Sequence, residues 1–299
     1  SSCQFMEKLI ACPSYNYCDV YGSPVKSFLY YIATGYHRLK STCKTTYQSS
    51  DSIVEKSVFA YDTERPYNII SKSSLCSGGA EQVERTYYSN NTIPDKESLT
   101  TSQRSAIQLL TSRNYLTTPV QQTMEKKDKR LYSVLRGYSS SLSSGMVVED
   151  QYYCKGTDKY EKRISYNKYD IYGNPVYINK DGAEKVVYLW GYKGQYLLAE
   201  IKGATYEEVK KALMVDPASM SSCILPSIPL YLNMIDNLYK ALPSALITSY
   251  TYHPLIGVSG IISPNKAKTT FEYNSDSQLI RIKDTEGKTM EEYQYHFRP

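Results

Sequence analysis

Tryptophan occurs once in 299 residues and phenylalanine only five times. No stretch reaches 18 consecutive apolar residues, which excludes a membrane-spanning helix. There are three histidines (His37, His253, His296) and seven cysteines at irregular spacing, with no C-x-x-C pair among them. That set offers no metal-ligand pattern, and an odd, sparse cysteine count is not a disulfide framework. The thiols read as mostly free and packed, with Cys12 and Cys18 best spaced for one local bridge. No G-x-S-x-G elbow, P-loop or H-E-x-x-H helix is present. Charge of one sign is also lacking: 35 basic residues against 30 acidic leave +5, too little for a nucleic-acid footprint. The acidic pairs Glu149-Asp150, Glu207-Glu208 and Glu291-Glu292 read as solvated faces or helix-start charges. The run from Lys126 to Arg130 reads as a solvated hairpin tip. The chain is therefore expected to hold no catalytic residue, metal or cofactor, and not to be an enzyme.

What is abundant is tyrosine, at 32 residues. Tyrosine suits half-buried pleated surfaces, where the ring packs and the hydroxyl finds a partner. Its placement is periodic. Trp190-Gly191 follows Tyr169-Asp170 by 21 residues, Tyr273-Asn274 follows Tyr252-His253 by 21, and Tyr295-His296 follows by 22 more. Each dyad closes an alternating stretch such as Val186, Tyr188, Trp190, which is the period of a strand. Hairpin turns are expected at Asp181-Gly182 and Glu286-Gly287, where glycine supplies positive φ. Repeated hairpins too small to bury their own faces must stack into a continuous sheet.

The run is interrupted from about 203 to 245. Thr205-Tyr206-Glu207-Glu208 is a capping box, and Val209, Ala212 and Leu213 follow on one helical face. A second helix is predicted from near Pro229 to Pro243, with Leu230, Met234, Leu238 and Leu242 as its stripe and Met220 to Pro226 as the loop between. In the first half, Phe28 to Tyr36, Ile53 to Tyr61, Gln82 to Tyr88 and Tyr160 to Tyr169 read as strands. Pro94 to Arg113 reads as a helix, and Leu116 to Met124 with Arg130 to Tyr138 as a hairpin. The expected fold is mainly β: antiparallel β-hairpin repeats in a curled extended sheet, with an inserted helical hairpin and one further helix. Residues 1–145 form an irregular β-rich region and 146–299 a repeat region.

The segment Tyr169-Asp170-Ile171-Tyr172-Gly173-Asn174-Pro175, followed by Tyr188-Leu189-Trp190-Gly191-Tyr192, resembles the RHS or YD-repeat family, and surface proteins of Bacteroidetes in particular. Gly194-Gln195-Tyr196 and Tyr250-Thr251-Tyr252-His253-Pro254-Leu255-Ile256-Gly257 carry the same resemblance. Only Tyr61-Asp62 and Tyr169-Asp170 keep the Tyr-Asp pair. Asn274 and His253 replace the acid, and Ser277 stands where the family usually has glycine. The resemblance implies a curled sheet or open shell belonging to a longer secreted or cell-surface bacterial chain, without the toxin cargo of the family's largest members. A scaffold or adhesive surface is the expected role. A carbohydrate-binding module using Trp190, Tyr192 and Tyr196 as ligand contacts is the alternative, and a glycoside-active enzyme a distant third. A carbohydrate or a cell-surface protein is the expected partner; no nucleic acid is.

Overall fold

The computed structural model describes residues 38–48, 51–65, 67–75, 79–140, 145–222 and 228–296. Phe28 to Tyr36, His37, Cys12 and Cys18 lie outside them. Among the described residues, sixteen strands follow one another in the sheet in chain order, and the fold is mainly antiparallel β. Two compact units divide the chain: one of 1–86 with 123–131, the other of 87–122 with 132–299.

The first unit holds β1 (Ser41–Gln48), β2 (Asp51–Tyr61), β3 (Ile69–Leu75) and most of β4 (Glu81–Tyr88). β1 and β3 were not expected. Their Ser-, Thr- and Lys-rich sequences lack the apolar alternation that announces a strand, and β1 is exposed along its described length. Cys43 lies there as an exposed free thiol, against the expectation of a packed one.

In the second unit, α1 (Thr101–Ser112) begins later than the expected Pro94, because a 3-10 turn over Lys96–Ser98 precedes it. Thr100 caps it in a reciprocal box with Gln103, satisfying otherwise orphaned N–H groups. Ala106, Ile107 and Leu110 pack with Val120, Leu135, Tyr138 and Tyr152. These belong to β5 (Pro119–Lys126), β6 (Lys129–Ser139) and β7 (Val147–Lys155). β7 was not expected, since Glu149-Asp150 breaks its pattern. Asp150 is nevertheless buried, where it accepts hydrogen bonds from Gln103 Nε2 at 3.0 Å, Ser165 Oγ at 2.8 Å and Tyr152 Oη at 3.2 Å, beside the Lys162 ammonium at 3.2 Å. It anchors the start of α1 rather than facing solvent.

The repeat region runs through β8 (Glu161–Tyr169), β9 (Pro175–Lys180), β10 (Glu184–Gly191) and β11 (Tyr196–Lys202). After the helical insertion it continues with β12 (Leu246–His253), β13 (Gly257–Ile262), β14 (Lys268–Tyr273), β15 (Leu279–Lys283) and β16 (Thr289–Glu292). The insertion contains α2 (Tyr206–Leu213), capped by Thr205 and Glu208, and α3 (Ile228–Ala241). Met220 falls in a 3-10 turn over Pro217–Ser222 instead of a loop. Val209, Ile235 and Leu238 bury against Val187, Leu189, Leu198, Ile201 and Ile247, so the insertion covers the face of β10–β12 that two-stranded repeats cannot bury alone.

The turns repeat one geometry. In Asp170–Asn174, Asn274–Gln278 and Asp284–Lys288, the first residue's N–H donates to the fifth residue's carbonyl, and the fourth's N–H to the first's carbonyl. The first side chain adds two bonds: Asp170 Oδ1 accepts from Tyr172 N at 2.9 Å and Asn174 N at 2.8 Å, Asn274 Oδ1 from Asp276 N and Gln278 N, and Asp284 Oδ1 from Glu286 N and Lys288 N. This Asx cap is what the acid of the dyad does, and a carboxamide does it equally, since only an acceptor oxygen is required. The third turn begins at Asp284 and has the expected Glu286-Gly287 as its third and fourth residues. The fourth residue has φ of +84° at Gly173 and +81° at Gly287, but +63° at Ser277. A side chain there costs about 1 kcal/mol or more. Ser277→Gly is therefore expected to stabilise the protein by about 0.5–1 kcal/mol, read as a higher urea midpoint at unchanged slope; a lower midpoint would contradict the turn geometry.

Candidate functional site

The chemistry that recurs along the sheet begins with the dyad aromatic. Tyr61 Oη donates to the carbonyl of Leu39 at 3.0 Å, Tyr138 to Pro119 at 2.8 Å, Tyr169 to Val148 at 2.5 Å, Tyr252 to Leu197 at 2.8 Å, Tyr273 to Val258 at 2.9 Å and Tyr295 to Leu279 at 2.8 Å. Trp190 does the same through its indole, with Nε1 donating to Pro175 O at 2.8 Å. In each case a ring near the end of one strand reaches back across the sheet to the carbonyl at or beside the start of the preceding strand.

A β-bulge aims six of the seven rings. The register with the following strand slips between Ala60 and Tyr61, Gly137 and Tyr138, Lys168 and Tyr169, Leu189 and Trp190, Thr251 and Tyr252, and Glu272 and Tyr273. A bulge bends its strand and re-aims the side chain beside it. Tyr273 needs a further concession: a Cβ built on Gly257 would lie 2.6 Å from its hydroxyl, so the phenol reaches Val258 only by crossing a residue without a side chain.

The three expected ligand contacts lie at the turn end of β10 and β11. Trp190 is half-buried and packs on the core beneath α2 and α3. Tyr192, at φ +51°, also packs there, and meets Tyr196 edge-on at 5.1 Å between ring centroids. Tyr196 in turn lies 4.6 Å from Tyr252, and its hydroxyl accepts from the backbone N–H of Leu255 at 3.1 Å. Tyr192 and Tyr196 are thus brought together, while Trp190 is engaged by the sheet. Tyr252 and Leu255 join this cluster across the helical insertion, more than fifty residues away in sequence, a separation no local pattern spans. Leu255 has φ +67° and is 95% exposed.

Nothing in this margin resembles an acid–base site. His253 is exposed and meets Tyr273 edge-on at 6.3 Å. Among the described residues, no group of three or more His, Cys, Asp or Glu could hold a metal ion, and no helix is long and apolar enough to cross a membrane. What the margin offers is aromatic surface in which the Tyr196 and Tyr252 hydroxyls are already engaged.

The bulge, rung and capped turn define a protein built of antiparallel hairpin repeats. No family model and no curated protein matches the sequence. Among solved structures, the crystal structure of TcdB2-TccC3 is similar at a TM-score of 0.36 and 12% identity, over 82% of this chain and 11% of that one. A structure of the Photorhabdus luminescens Tc holotoxin pore is similar at a TM-score of 0.31 and 11% identity, over 79% of this chain and 13% of that one. At such scores the likeness assigns neither family nor activity.

Burial raises four of the rung phenols. Tyr138 and Tyr252 are each pushed up to about 12, and Tyr169 and Tyr273 also rise, all chiefly because burial penalises the phenolate. The donor form is the neutral one. A folded value above the unfolded one, about 10, means stability that is complete below about pH 10 and lost as pH climbs through about 12. Thermal melts with phenolate absorbance are expected to show a falling melting temperature in that window, as these four phenols ionise. Uniform titration near 10 without loss of stability would contradict it.

Proposed function

We propose that this chain is a non-catalytic segment of a secreted or cell-surface bacterial protein of the RHS/YD-repeat type, serving as a scaffold or binding surface. The rung carries the reading: every dyad aromatic described above, Trp190 included, gives its polar end to a backbone carbonyl of its own sheet. Residues used in that way build and hold a surface and do no chemistry on a substrate. The capped turn supports the family assignment, because Tyr169-Asp170 and Tyr273-Asn274 perform one job with different side chains.

A second reading has its own observation. The Tyr192, Tyr196 and Tyr252 rings form a continuous cluster, with the exposed Leu255 bonded to it, at the turn margin of the sheet. Apolar and aromatic surface of this kind packs against a saccharide face or an apolar protein side chain. Trp190 contributes less to such a platform than its rarity suggests, since its ring lies on the core and its N–H is bonded.

The test separates scaffold from platform. Trp190→Ala is expected to cost about 3–5 kcal/mol in urea unfolding, as for a core ring. A folded Trp190→Leu protein is expected to keep whatever glycan-array binding the parent shows. A cost below about 1 kcal/mol, or binding lost in the folded variant, would move Trp190 from the sheet to a ligand site.

A further inference from the structure

The groove of about 770 Å³ along α1 belongs to no repeat and has a chemistry of its own. One wall is a single stripe of the helix: Thr101, Arg104, Ser105, Gln108, Thr111 and Ser112, at the i, i+3, i+4 spacing of one face. The other wall is the loop that precedes the helix, contributing Lys96 and Thr92. Ile93 and Ile107, both nearly buried, lie between them as an apolar floor.

Helix faces that merely meet water carry long charged side chains, which cover the surface with their stems. This stripe carries four hydroxyls and one carboxamide around a single guanidinium. It leaves a hollow of the size of small-molecule sites, with an apolar floor and polar groups around it. Among the described residues, Ser105 and Gln108 make no side-chain hydrogen bond and Lys96 makes no ion pair, so donors face the groove uncommitted. Arg104 is held by Glu97 at 2.5 Å, but Glu97 is 76% exposed. A carboxylate so exposed gains little from its pair and is readily exchanged for one brought by a ligand.

We propose that this groove binds an acidic saccharide, a uronate-bearing oligosaccharide, with Arg104 and Lys96 on the carboxylate, Ser105 and Gln108 on ring hydroxyls, and the isoleucine floor against the C–H face of the sugar. Arg104 holds a carboxylate through paired N–H groups, and Glu97 occupies that position in the free protein. The binding does not depend on the role of the repeats, and neither Trp190 nor the turn-margin tyrosines take part in it.

Titration calorimetry at low salt with trigalacturonate, and with the corresponding neutral trigalactose, tests this on the full chain. Binding is expected for the uronate only, weakening as salt is added. Arg104→Ala is expected to weaken it about tenfold or more, Lys96→Ala to weaken it less, and Glu97→Gln to tighten it by freeing the guanidinium. Lys211→Ala, removing one positive charge from α2 instead, should leave it unchanged. No heat with trigalacturonate, equal affinity for the neutral sugar, or binding indifferent to Arg104→Ala in a folded protein would each overturn the proposal. Because Trp190 is absent from this set, failure here leaves the scaffold reading standing, and failure of the Trp190 test leaves this one standing.

Discussion

The bond from a dyad aromatic to the carbonyl opening the preceding strand is the interaction on which the rest of the structure depends. A two-stranded hairpin is marginal in water, and its strand ends are where the ladder frays. A phenol or indole that reaches across the sheet closes such an end with a buried ring and a hydrogen bond together. The bulge aims the ring, the ring closes the strand start, and at Asp62, Asp170 and Asn274 the residue after it caps the turn that sends the chain back. Each repeat therefore carries its own register device, which matters because a one-residue slip would exchange the faces of a strand.

That device explains why tyrosine, and in one repeat tryptophan, fills the rung position. Phenylalanine packs equally well but cannot donate, so a rung filled by phenylalanine would leave a carbonyl without its partner. Trp190 meets the requirement by other means: its indole delivers an N–H to Pro175 while its ring packs against the core cluster to which α2 and α3 contribute. The helical insertion sits between β11 and β12 without breaking the pattern, since Tyr252 returns to Leu197 as though the intervening residues were absent.

Much of this was legible in the sequence because it is local. The period of the dyads, the Thr205 capping box, the α3 stripe and the Asp181-Gly182 turn all follow from spacing and turn chemistry within a few residues. What escaped was non-local or weakly patterned. β1, β3 and β7 are too polar to show alternation, and pairing to neighbours defines them. Asp150 reads as half of a surface acidic pair until Gln103, Ser165 and Lys162 converge on it. The acceptor of each rung lies 15 to 22 residues upstream, or 55 upstream for Tyr252, so the repeat exposed the donor but not its partner. For the expected contacts, Tyr192 and Tyr196 are neighbours by sequence, whereas Tyr252 and Leu255 join them only in the folded sheet. The groove on α1 left a faint trace, short polar residues at helical spacing in place of lysine and glutamate.

The most direct test of the account removes the donor and nothing else. Urea unfolding of Tyr169→Phe, Tyr252→Phe and Tyr273→Phe, singly and in pairs, isolates the rung from the ring. The account predicts a loss of about 1 kcal/mol for each, close to additive in pairs because the rungs lie on different strands. Phenylalanine variants that unfold at the parent's urea midpoint would show that packing alone holds the repeats and that the rung is incidental.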